Sequence, residues 1–264
     1  MSERLYTGRW KDEKKPSVLR FLPWLIFAVA IGFMIYWVLA TGNDRHFFTV
    51  GIVLTTALSV FVWSIRNNGP IWTISSVIVV MFYTFLLELL GVTTGIPFGE
   101  YEYAQSLGIK IVGVPLVVPI AWYAMAIPVL MLARSISKRP AIILFFATVG
   151  LTSWDFLLDP WMVGEGHWNW ANPEPSLPGL PGIPITNYIG WIISTFILFL
   201  ILDRFPRRSY RPLSLPLMVY CWQWIGGAVS NLFFLNQPTV ALYVFVGMAL
   251  LAVPALFTQY VRFR

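Results

Sequence analysis

Charge is what this chain has least of. Only 11% of its 264 residues are Asp, Glu, Lys or Arg, against 58% hydrophobic, a balance that excludes an ordinary soluble domain. Cysteine is nearly absent too: the single Cys221 rules out an intramolecular disulfide and a cysteine-based metal cluster. No P-loop, no GxGxxG after a strand, no HExxH pair and no Asp-rich diphosphate motif occurs, so nucleotide, zinc and prenyl-diphosphate chemistry lack support. Lysine is confined to Lys11, Lys14, Lys15, Lys110 and Lys138, all away from mid-membrane, which argues against a retinal-type Schiff base. Neither a cofactor nor a metal is implied.

What is present in abundance is long apolar runs. They predict an all-α, polytopic membrane helix bundle in one transmembrane domain over 1–264, with spans near Phe21–Ala40, Phe47–Ile65, Ile71–Gly91, Ile111–Ala133, Ala141–Asp159, Ile185–Leu202, Leu213–Leu235 and Val240–Phe257. The first, at about twenty residues, exceeds a signal-peptide core. Placing the N-terminus inside puts every one of the 18 basic residues except Arg45 and Lys110 on the cytoplasmic face. The net charge of +6 therefore reads as orientation and contact with lipid headgroups in the bilayer, not as a nucleic-acid surface. Residues 1–20 form a basic cytoplasmic segment, and 92–110 and 160–184 are external loops expected to cap a site.

Polar residues inside the membrane are costly and face a cavity or a partner. Glu88 lies near the outer end of the third span, and Asp155 and Asp159 near the outer end of the fifth. At 1.5 Å per residue, Glu88 sits roughly 25 Å and Asp155 roughly 22 Å from the inner ends of their helices, so the carboxylates share a depth. Asp155 and Asp159, four apart, lie on one helix face. If they share a site, one keeps its proton while the other ionises.

Blander readings stand beside these. Asp159 precedes Pro160 and could simply end its helix at the water interface. Glu88 could hold a loop backbone. His167, between Gly166 and Trp168, suits a surface or hydrogen-bonding role, and Trp154, Trp161, Trp168, Trp170 and Trp191 could form only an interfacial belt. Their crowding around the aspartates suggests a pocket wall instead. The connection Val92–Lys110, broken by glycines and Pro97 and carrying Phe98, Tyr101 and Tyr103, reads as an ordered cap.

A resemblance adds to this. The run ELLGVTTGIPFGEYEY over Glu88–Tyr103, GVPLVVPIAW over Gly113–Trp122, then LDP, WNW and GIPITNYIGW up to Trp191 are similar to the membrane carotenoid 1,2-hydratase family of the CruF type, over about residues 80–195. The resemblance implies addition of water to the terminal double bond of an acyclic carotenoid end group, as in lycopene, γ-carotene or a bacterioruberin precursor. It also implies association with other carotenoid-pathway enzymes. Haloarchaeal members are expected to be acidic, so the basic balance points to a bacterial source and its cytoplasmic membrane.

The residues suit that reaction. Hydrating a trisubstituted alkene needs a neutral carboxylic acid to protonate C2, a wall that stabilises the tertiary cation at C1, and a base for the incoming water. The reading takes Asp155 as acid and Asp159 or Glu88 as its partner, with the three roles open to permutation. Trp154, Trp168, Trp170 and Tyr101 would line the pocket, each ring worth about 0.5 to 2 kcal/mol to a cation. Tyr103, Phe98, Trp122, Asn187, Trp191 and Thr94 are the further substrate contacts. Two alternatives remain: a carotenoid or isoprenoid cyclase using the same acid but excluding water, and a lipophile-binding or transport protein without catalysis.

Overall fold

A computed structural model describes residues 17–207 and 212–262. Most of the basic segment 1–20 lies outside them, as do Arg208, Arg211 and Arg264. Within them, the long apolar runs can satisfy their backbone groups in a membrane only as helices. These are α1 (Ser17–Leu39), α2 (Gly42–Asn68), α3 (Pro70–Thr94), α4 (Val117–Ile136), α5 (Pro140–Gly164), α6 (Ile185–Leu202), α7 (Ser214–Cys221), α8 (Gly227–Phe233) and α9 (Pro238–Arg262). Seven of them are long and apolar enough to cross a membrane. α7 and α8 join through a π turn, Trp222–Gly226, into one further rod over 214–233. The chain is an all-α, multi-pass membrane protein.

α4 is apolar all round and almost wholly buried, and α2, α3, α5, α7 and α9 pack on it. α5 lies closely along α9. A Cβ at Gly150 would come within 2.4 Å of Leu251 Cδ2, so glycine sets that approach. α3, α4, α5 and α6 close into a ring of neighbours. At the end of that ring opposite Glu88 and Asp159, Arg134 on α4 binds Asp203 (Nε–Oδ1 3.1 Å) and donates to the carbonyls of Leu202 and Phe205. Arg207 joins the same carboxylate.

Beyond shifts at other helix ends, three features depart from the sequence expectation. The fourth helix begins at Val117, not Ile111. Residues before it form a small hairpin, β2 (Lys110–Ile111) with β3 (Val114–Pro115), because Val112 and Gly113 take positive φ at the turn. The fifth helix runs through Pro160 to Gly164 and so is not ended at Asp159. Its last turn closes with Glu165 N–H donating to Trp161 O at 3.0 Å, and Pro160 is accommodated four residues before the end. The seventh span is not a uniform α-helix: it carries the π turn.

Over the outer end, β1 (Tyr101–Tyr103) pairs antiparallel with β4 (Trp168–Trp170), in the register Tyr101↔Trp170 and Tyr103↔Trp168. Ala104 N–H to His167 O (2.8 Å) and Ala171 N–H to Glu100 O (2.9 Å) extend the ladder at both ends. Alternation along the strands turns Tyr101, Tyr103, Trp168 and Trp170 inward and leaves Glu102 and Asn169 exposed.

Candidate functional site: an aromatic cavity with two carboxylates

Beneath this ladder lies a cavity of about 60 Å³. Glu88 reaches it from α3, Trp122 from α4, Trp154 and Asp159 from α5, and Asn187 and Trp191 from α6, while Phe98, Tyr101, Tyr103, Trp168 and Trp170 close it from the loops. Trp122 and Trp191 stack with ring centroids 4.3 Å apart and 5° between planes, and Trp154 meets Trp191 edge-on at 6.3 Å. The roof pairs Tyr101 with Trp170 at 5.8 Å and Tyr103 with Trp168 at 5.5 Å. Trp170 Nε1–H donates to Phe98 O (2.9 Å), which ties the roof to the loop below. Gly190 lets α6 approach that loop, for a Cβ there would lie 2.7 Å from Phe98 Cδ1 and 2.9 Å from Pro97 O.

The carboxylates have contrasting partners. Glu88 is 5% exposed and accepts three hydrogen bonds: Tyr101 Oη–H at 2.6 Å and Tyr103 Oη–H at 2.8 Å to Oε2, and Trp122 Nε1–H at 3.3 Å to Oε1. Donors thus meet both oxygens of this carboxyl group. Burial, then the adjacent Glu88 charge, holds the Tyr101 and Tyr103 phenols well above the ordinary tyrosine range, so both stay donors. Asp159 and Asp155 instead share one amide. Asn187 Nδ2 donates to Asp159 Oδ2 at 2.5 Å and to Asp155 Oδ2 at 3.1 Å. An amide NH₂ between two buried carboxyls is an arrangement in which one carboxyl keeps a proton, because two bare charges so close in low dielectric repel strongly.

The structure thus brings together eleven of the thirteen residues singled out above in the cavity wall, and displaces two. Asp155 is 0% exposed and does not line the cavity; its Oδ2 accepts from Asn187, and among the described residues its Oδ1 has no hydrogen-bond partner. The position facing the cavity is Asp159. Thr94 lies outside altogether, exposed at the end of α3, where its Oγ1–H donates to Leu90 O (2.7 Å) and accepts from Ile96 N–H. His167 is buried rather than at the surface. Its Nδ1 is 2.7 Å from Ser106 Oγ, its ring lies 4.8 Å from that of His46, and burial beside that second imidazole lowers its pKa to about 4. Sequence reasoning missed the apolar lining, notably Val53 of α2 and Met162 of α5, and also Thr49. Thr49 accepts from Trp37 Nε1–H at 2.8 Å. A hydroxyl in the second span was the only available signal. Among the described residues no three His, Cys, Asp or Glu side chains converge as a metal-ligand group.

Comparison with known proteins identifies the setting of this cavity. Bisanhydrobacterioruberin hydratase of Haloarcula japonica is 30% identical over 191 residues, which cover 67% of this chain and 62% of that protein. The chain therefore spans under two thirds of that relative's length. No solved structure matches. A family model described as "Carotenoid biosynthesis protein" matches residues 47–254, a stretch that holds Glu88, Asp155, Asp159 and both roof strands, and the chain belongs to that family.

Proposed function

We propose that this protein is a carotenoid hydratase that adds water to the terminal double bond of an acyclic carotenoid end group. The observation that carries the reading is the pairing, across one ring-walled cavity, of a carboxyl linked to a second carboxyl with a carboxylate held by three donors. The relative's name supports the same chemistry. Such divergent environments are how one site holds an acid and a base together.

In this mechanism Asp159 gives its proton to C2 of the alkene, the π pair forms the new C–H bond, and C1 is left as a tertiary cation. The faces of Trp154, Trp168, Trp170, Trp191 and Tyr101 stabilise that cation. Water attacks C1 and loses a proton to Glu88, and transfer of that proton back through water restores Asp159. Asp155 and Asn187 set the orientation and proton occupancy of Asp159. The substrate is of the lycopene, γ-carotene or bacterioruberin-precursor type. No cofactor enters these steps, the enzyme class is hydro-lyase, and the membrane is a bacterial cytoplasmic one in which other carotenoid-pathway enzymes are partners.

The test is incubation of the purified protein in lipid vesicles with lycopene, followed by mass analysis. Products heavier by one or two waters are expected. An isomer of unchanged mass would reveal a cyclase instead, and unaltered lycopene would sink the proposal.

A further inference from the structure

The cavity presents a geometric problem. An engineered apolar cavity of roughly 150 Å³ takes up one benzene. The 60 Å³ here is smaller, while the substrate proposed above is a long polyene. Only an end group can enter, after some wall has moved, and the chain must lie elsewhere.

A second cavity, of about 240 Å³, lies between the outer half of α1 and the rod formed by α7, the π turn and α8. Its walls include Met34 and Val38 of α1, Trp161 of α5, and Trp222, Gly226 and Ser230. The last three follow one another at intervals of four along one face of the rod, and the π turn contributes the first two. Gly226 offers no side chain there, so the floor is open. π turns in helices frequently mark functional positions.

The two cavities draw walls from one stretch of α5. Trp161 faces the groove, whereas Leu158 and Met162, on the adjoining part of the same helix, face the catalytic cavity. Trp37 lies against this stretch: its ring stacks on Trp161 at 4.6 Å and 19°, and its N–H donates to Thr49, itself a residue of the catalytic cavity. The Arg45 guanidinium covers the Trp37 ring at 4.7 Å and pairs with Glu165 just beyond α5. Trp161 Nε1–H donates to Asn231 on α8 at 3.0 Å. Trp37 is carried by α1 and tied to α2, and Trp161 is carried by α5 and tied to α8, so parting of the α1–α2 pair from α5 and α8 would pull the stack open.

We propose that the groove between α1 and the π turn binds the polyene chain of an acyclic carotenoid whose end group occupies the catalytic cavity, with the Trp37–Trp161 stack as the parting wall. The occupant follows from continuity with that cavity and from the substrate of the proposed function, on which this inference rests. The path leads sideways from the outer leaflet, where a carotenoid is dissolved. The β1–β4 ladder blocks the route from above.

Gly226→Leu and Ser230→Phe fill the groove and leave the catalytic cavity untouched; the helical backbone at Gly226 accepts a side chain. The variants in vesicles are compared with wild type on lycopene and on a short acyclic terpenoid bearing the same terminal alkene. Carotenoid retained through purification is read by visible absorbance. Lycopene turnover and retained carotenoid should fall roughly tenfold or more, while turnover of the short substrate stays within about twofold. Unchanged lycopene turnover and retention in both variants would overturn the proposal, as would an equal loss on both substrates. If wild type hydrates neither compound yet retains carotenoid that both variants lose, the groove stands and the hydratase reading falls.

Discussion

The hydrogen bonds on Glu88 make a quantitative claim that double-mutant cycles can check. Tyr101→Phe and Tyr103→Phe each delete one hydroxyl and keep the ring, so the cavity wall retains its shape. Each hydroxyl donates to Oε2, at 2.6 Å and 2.8 Å. A hydrogen bond to a charged group contributes about 1.5–3 kcal/mol and a neutral one about 0.5–1.5. Either substitution should therefore destabilise the wild-type chain by about 1.5–3 kcal/mol, or roughly 3–6 °C in Tm at the lower figure for a protein of this size. In a Glu88→Gln background the same substitutions meet a neutral amide and should cost about 1 kcal/mol less each. The assay is unfolding in mixed micelles of wild type, the three single variants and the two doubles. Coupling within the roughly 0.3–0.5 kcal/mol shown by independent sites would refute an ionised Glu88 held by the two phenols.

Asp159→Asn should lower hydration by about 10² to 10⁴, the range of general acid–base assistance, and by more than Asp155→Asn, since only Asp159 faces the cavity; turnover of folded variants in vesicles decides. His167, with its pKa lowered to about 4, stays neutral in the folded chain while an unfolded histidine takes up a proton near 6.5. Stability is therefore complete above pH 6.5 and declines as pH falls toward 4, by at most about 3 kcal/mol, and His167→Gln should flatten that slope in a pH series of unfolding curves. Gly190→Ala should cost about 1–3 kcal/mol by pressing Phe98 and Pro97, without touching a carboxylate, and shows as a lowered Tm.

The helices were legible because the cost of polar groups in lipid forces long apolar runs into helices, which hydropathy reads directly. Glu88, Asp159 and their aromatic neighbours were legible for the same reason: such groups at such a depth face inward. The relative roles of Asp155 and Asp159 were not. Positions four apart differ by only about 40° around a helix, and which one meets the cavity depends on Asn187 wedging from another helix. Thr94 misled because it belongs to a contiguous motif whose inward-facing members lie on either side of it, Glu88 on α3 and Phe98, Tyr101 and Tyr103 after the chain reverses at Gly95, which takes a positive φ. Pro160 misled because the residue before a proline tends to leave the helix, a tendency that tertiary packing overrides here. Val53 and Met162 carry no chemical signature, so only the packing reveals them.

The pairing of Tyr101–Tyr103 with Trp168–Trp170 also constrains how the protein is made. Two of the three donors that hold Glu88 sit on the earlier strand, but the strand that fixes them leaves the ribosome only after α4 and α5 have both been synthesised. Until then Glu88 is already at membrane depth without its finished roof. Helix insertion and maturation of the site are consequently separate events in biogenesis, and a nascent chain arrested before Trp170 would be membrane-integrated yet unable to close the space around its carboxylates.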